Sequence, residues 1–155
     1  MLPYGGGMEI EMVNSDTIKL LRECNAGIKM GVATIDNVFD KTENEELKRM
    51  LNESKQKHEK LGNETHELLN SYEDSGKEPN PMAKGMSWIK TNVMLSMNPG
   101  DKTVSDLITD GCNMGVKSLN KYLNEYEAAE EKAKNIAKRL IRLEEELAEE
   151  ISCFL

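Results

Sequence analysis

Three stretches of this 155-residue chain place apolar or small residues at alternating spacings of four and three, and no other feature constrains its folding more. The first runs Leu21, Cys24, Ile28, Gly31, Ile35, Val38. The second runs Leu47, Leu51, Ser54, His58, Leu61, Thr65, Leu68, Tyr72, and the last contains Ala133, Ile136, Leu140, Leu143, Leu147 and Ile151. Such spacing lines one face of an α-helix with core residues and leaves the opposite face polar. A chain built this way must bury several stripes against one another, which predicts an all-α domain. A β-rich alternative would need more Val, Ile, Thr and aromatic residues than one Trp, four Tyr and two Phe accompany here.

The punctuation sets the order of elements. Asn14-Ser15-Asp16 is a cluster of good N-cap residues, so the first helix is expected from there to about Asp40, after a flexible leader over residues 1–13. A short polar link, Lys41 to Asn44, makes the second helix its antiparallel neighbour. Residues 73–81 are dense in turn formers. A shorter amphipathic piece, Met82 to about Met97, follows and ends at Asn98-Pro99-Gly100-Asp101. Another helix starts near Thr103 and a last one covers about Glu130 to Ser152. Unbroken helix from Thr103 to Ser152 would be about 75 Å long at 1.5 Å per residue, so a turn is placed at Ala128-Ala129 although no Gly or Pro marks it.

An internal repeat supports that turn. Cys24-Asn25-Ala26-Gly27-Ile28-Lys29 aligns with Cys112-Asn113-Met114-Gly115-Val116-Lys117 at an offset of 88, and the core phase continues beyond it. The chain therefore reads as one helical-bundle domain over 14–155. Hairpins at 14–75 and 103–152 are joined by a crossover at 76–102 that holds a short extra helix. A four-helix bundle of two repeated hairpins is the compact solution.

Charge narrows the partners. Twenty Lys+Arg against 28 Asp+Glu give a net charge of −8, which disfavours nucleic acid and anionic membrane surfaces as ligands. No apolar run is long enough to span a bilayer, and the N-terminus lacks the pattern of a signal peptide. Three cysteines with no C-x-x-C pair read as reduced thiols, so a cytoplasmic location is expected. No phosphate-binding loop, H-E-x-x-H or nucleophile elbow is present, and no enzymatic activity is expected.

With a short link, a long crossover and a second short link, the chain resembles a divergent member of the ferritin-like superfamily, close to small uncharacterised bacterial ferritin-like proteins. The resemblance covers about residues 14–152 and rests on architecture and repeat. Di-iron members place a Glu on each of the first and third bundle helices and a Glu-x-x-His pair on each of the others. Carried over, this implies Glu23, His58 and Glu144 as ligands. Lys55, Gly111 and Leu147 stand where other ligands would be, with Asp110 beside Gly111. Three of six ligands disfavours a working di-iron centre, and no cofactor is expected. The alternative is a divergent Fe, Mn or Zn site on those three residues.

His58 lies in a core stripe, and the simplest expectation is a buried histidine hydrogen-bonded to a facing Glu or backbone group. Cys24 and Cys112 hold equivalent inward positions, either as small core residues or, brought together by a pseudo-two-fold axis, as a redox pair. The pairs Gly27/Gly31 and Gly111/Gly115 imply close helix approach or room for a large facing side chain. In the crossover, Met86, Trp88, Met94 and Leu95 are interface candidates. The last helix carries a basic block, Lys132 to Arg142, ahead of an acidic one, Glu144 to Glu150, which suits antiparallel docking of two copies. The function expected from these features is a non-catalytic bundle that self-associates as a homodimer or binds a protein partner.

Overall fold

The structure, a computed structural model, describes residues 3–72 and 100–155, and every regular element among them is helical. Helix α1 spans Pro3–Phe39, α2 Glu45–Ser71, α3 Asp101–Glu125 and α4 Glu131–Ile151, before a closing 3-10 turn at Ser152–Phe154. The expected extra helix and the interface candidates Met86, Trp88, Met94 and Leu95 lie outside the described residues.

Side chains at the helix ends fix the directions. The Asn44 side chain caps α2 by accepting from the Glu46 and Leu47 amides at 2.9 and 3.1 Å, and Glu45 and Glu46 complement the helix dipole there. Asp101, at the start of α3, accepts from the Glu43 amide at 2.7 Å and from Asn44 at 3.1 Å, tying that end to the α1–α2 link. At the opposite end the Asp16 carboxylate accepts from the Ala128 amide at 3.1 Å, and the Thr17 hydroxyl accepts from Glu130 at 2.9 Å. The Tyr72 hydroxyl donates to Glu130 at the same end. Thus α1 and α4 run one way and α2 and α3 the other. Helix α1 packs on α2 and α3, α4 packs on the same two, and α1 also touches α4 across the centre. All edge neighbours are therefore antiparallel, and α2 ends where α3 does not begin.

One boundary departs from expectation. Residues 3–13 are not a flexible leader but the start of α1. The cap-forming side chains after Asn14 are spent elsewhere: Asp16 and Thr17 serve the α3–α4 link, and the Thr17 hydroxyl donates to the Val13 carbonyl at 2.6 Å. With Pro3 in the first turn, where its missing N–H costs nothing, the helix runs on through Met8 to Val13.

The core divides into two apolar clusters. One gathers Leu20, Leu21, Cys24, Ile28, Leu61 and Leu140 near the α3–α4 link. The other gathers Ile35, Val38, Leu47, Leu51, Ile108, Leu147 and Ile151 near the α1–α2 link. Each fully buried Leu or Ile contributes roughly 1.5–3 kcal/mol relative to exposure. Between the clusters, at the level of Gly31, the stripe turns polar.

Candidate functional site

His58 on α2 is 1% exposed, and Glu144 on α4 is 9% exposed. His58 Nε2 lies 2.7 Å from Glu144 Oε1, and Nδ1 lies 2.7 Å from the Ser54 carbonyl oxygen one turn earlier. The carbonyl can only accept, so Nδ1 carries a proton. A second proton then sits between Nε2 and the carboxylate, and the pair is neutral overall. Burial alone would pull the imidazole's pKa down. The hydrogen bond and charge of Glu144, helped by the Ser54 carbonyl, outweigh it and hold His58 above its ordinary 6.5. The result is an imidazolium–carboxylate pair buried between two apolar clusters.

Glycines make room for it. A Cβ at Gly31 would come within 3.1 Å of His58 Cδ2 and 3.3 Å of Nε2, and one at Gly115 would meet Glu144 Oε2 at 3.5 Å. Gly31 is small because the His58 ring occupies the space across from it, whereas 3.5 Å at Gly115 is ordinary contact that alanine would make. Gly27 and Gly111 are also open to a Cβ. A Cβ at Gly27 would make ordinary contact with Leu140 at 3.7 Å, and one at Gly111 would meet nothing within 4 Å.

The empty volume beside Gly111 is a cleft of about 360 Å³ between α1 and α3, floored by α4 and the His58–Glu144 pair. Its walls are mostly apolar, among them Met30, Ile35, Ile108 and Leu119, with exposed Met114 at its rim. Glu23 and Tyr122 line it at the end nearer the α3–α4 link. Burial, then the charge of Glu23, raises the Tyr122 pKa. Among the described residues, no Lys or Arg lines the cleft.

Of the three ligands implied by the ferritin-like resemblance, the structure joins His58 and Glu144 and keeps Glu23 apart. Glu23 precedes Gly31 by two helical turns, about 12 Å along the axis. No group of three His, Cys, Asp or Glu side chains suited to a metal ion occurs among the described residues. Nε2, the imidazole atom facing Glu144, is engaged by that carboxylate. Lys55 turns away from the core to pair with Asp36 of α1 at 2.7 Å, and Asp110 is exposed.

Cys24 and Cys112 are both buried and free and belong to different clusters, whereas the redox-pair alternative needs them side by side. Because α1 and α3 are antiparallel, the contacts at their ends set Cys112 level with about residue 32, again about 12 Å along the axis from Cys24. Burial, with Glu23 nearby, pushes the Cys24 thiol up to about 12. Burial and then the charge of Glu144 push Cys112 higher still. Both are unreactive thiols. Cys153 is exposed.

Sequence reasoning singled out His58, Glu144 and all four glycines, yet missed the cleft and the roles of Met30 and Tyr122. The available signal was that both glycine pairs lie on helices flanking one space. The site thus belongs to an all-helical bundle with a buried His–Glu pair beneath a glycine-lined cleft, and no described helix is long and apolar enough to cross a membrane. A scan against family models finds no match to the chain, and searches of curated proteins and of solved structures find none either.

Proposed function

We propose that this chain is a non-catalytic binding protein whose working site is the cleft between α1 and α3, holding a small and largely apolar molecule over the His58–Glu144 pair. The observation that carries this reading is the pair Gly27 and Gly111. Each glycine in a helix costs about 0.8–1.0 kcal/mol relative to alanine, and alanine would fit at both places. Packing explains Gly31, where a Cβ would press on the His58 ring. It does not explain Gly27 or Gly111, whereas a cleft that must stay open does. A concave, mostly apolar space with a few convergent polar groups and a shifted histidine is the usual form of a ligand site.

The test follows the glycine amides. Titrating the full chain with indole or 2-phenylethanol should shift the amide resonances of Gly27, Gly31, Gly111 and Gly115 saturably, and Gly111→Leu should abolish the response by filling the space. Unshifted glycine resonances at millimolar probe would sink the proposal.

A second reading, self-association or capture of a protein partner, draws on the start of α1. Met8, Ile10 and Met12 are 65%, 63% and 58% exposed there, an unusual density of large apolar side chains on a solvated helix. Light scattering of the wild-type chain against an Ile10→Glu, Met12→Glu variant tests it: an unchanged mass removes this reading. Antiparallel neighbours, with α2 ending and α3 beginning at opposite ends, also support ferritin-like kinship as part of the proposal.

A further inference from the structure

The sign of charge around the cleft narrows what could occupy it. Its lining holds two carboxylates, Glu23 and Glu144, one imidazole, and no Lys or Arg among the described residues. Glu144 is already matched: it faces His58 at 2.7 Å. Glu23 is a half-buried carboxylate that shares its end of the cleft with Tyr122. The single cation in the lining, His58, has both ring nitrogens engaged, by Ser54 and by Glu144. It therefore has no N–H left to offer an anion. An acidic ligand would bring its charge toward Glu23 with no free cationic group to receive it, and a neutral one would gain mainly apolar burial.

We infer that the cleft takes a small organic amine, with its ammonium at Glu23 and Tyr122 and its apolar body along the glycine-lined trough toward His58 and Glu144. This inference rests on the cleft being a ligand site. Several features agree with that placement. The acidic end and the buried pair are separated by about 12 Å of helix axis, and the wall between them is mostly apolar, with Gly27, Met30 and Leu119 beside the lone hydroxyl of Ser118. Burial and Glu144 raise the pKa of Cys112, and burial and Glu23 raise that of Tyr122, so both flanking groups favour their uncharged forms.

Three probes of one shape separate the alternatives: 2-phenylethylamine, 2-phenylethanol and 3-phenylpropionate, titrated into the full chain by calorimetry and by the glycine amide resonances. The amine should bind about tenfold more tightly than the alcohol, equivalent to about 1.4 kcal/mol, and the carboxylate should bind more weakly than either. Glu23→Gln alters a half-exposed residue outside the buried pair, so the fold should survive, and the amine's affinity should fall to that of the alcohol. Gly111→Leu should abolish binding of both. Equal affinities for amine and alcohol, or an amine preference that survives Glu23→Gln, would overturn the assignment while leaving the cleft as a ligand site. If none of the three probes binds, both the assignment and the cleft reading fall.

Discussion

The same substitution, glycine to alanine, should act in opposite directions at two places 80 positions apart in the chain but facing one cleft, Gly31 on α1 and Gly111 on α3. At Gly31 the new methyl would sit 3.1 Å from His58 Cδ2 and 3.3 Å from Nε2, closer than ordinary contact. The ring cannot swing away cheaply, because hydrogen bonds of 2.7 Å hold it at both nitrogens. Overpacking of this kind costs about 1–3 kcal/mol, against which alanine recovers about 1 kcal/mol of helix propensity. Gly31→Ala should therefore be destabilised by up to about 2 kcal/mol. At Gly111 nothing lies within 4 Å of the new carbon, so only the propensity gain remains, up to about 1 kcal/mol of added stability. Urea denaturation followed by far-UV circular dichroism measures both, and the two variants should differ by about 1–3 kcal/mol. In a His58→Ala background the clash disappears and Gly31→Ala should turn stabilising, which a double-mutant cycle would register as coupling. If Gly31→Ala is as stable as Gly111→Ala in the wild-type background, the pinned-ring account of the site is wrong.

Two further outcomes follow from the titrating groups. His58 is held above 6.5 in the folded state by Glu144 and Ser54, against the opposing effect of burial, so the folded protein binds its proton more tightly than the unfolded chain does. The stability contributed by the pair is then fully present below 6.5 and is lost as pH rises through the folded value. Unfolding free energies measured upward from pH 6 should decline across that window, and His58→Gln should remove the decline; a slope that persists in the variant would assign it to other groups. Buried Cys24 and Cys112, both with raised pKa, should resist a disulfide reagent in native buffer while exposed Cys153 reacts. All three should react in urea, and rapid native labelling of a second thiol would show that the cores around Cys24 and Cys112 open readily.

The periodic stripes were readable because a buried face repeats along one helix and needs no knowledge of its neighbours. Leu21, Ile35, Leu47, Leu51, Ile136 and Leu140 are all buried as their spacing demands, although Leu69 replaces Leu68 as the more deeply buried residue near the end of α2. Local chemistry misled at the start of α1. Asn14, Ser15 and Asp16 have the composition of a helix start, but Asp16 serves a backbone amide 112 positions away, a use that only tertiary structure reveals. The partnership of His58 with Glu144 spans 86 positions and depends on the relative register of α2 and α4. His58 could be singled out by its place on a core stripe and Glu144 by the ferritin-like resemblance, but not the bond between them. The equivalence of Cys24 and Cys112 in the repeat was likewise visible. Their separation was not, because it follows from the antiparallel slide of α1 against α3.

The cleft was the least legible feature, since periodic patterns record side chains that are present and a cavity is made by those that are absent. Its construction nevertheless has a consistent logic. A buried ion pair is weak evidence for stability, because desolvating both partners offsets much of their attraction, and apolar residues of similar size commonly serve a core as well or better. Here the pair interrupts two apolar clusters that could otherwise have been continuous, and two further glycines on the flanking helices weaken the same level of the bundle. Gly31 makes room for the His58 ring, but alanine would fit at Gly27 and Gly111. Three separate departures from the best-packed bundle thus converge on one space, the polar pair beneath it, the missing side chains beside it, and the acidic group at its end. A fold optimised only to persist would have filled that space with leucine. Retaining it at the expense of stability is intelligible if the vacancy is what the bundle is built to present.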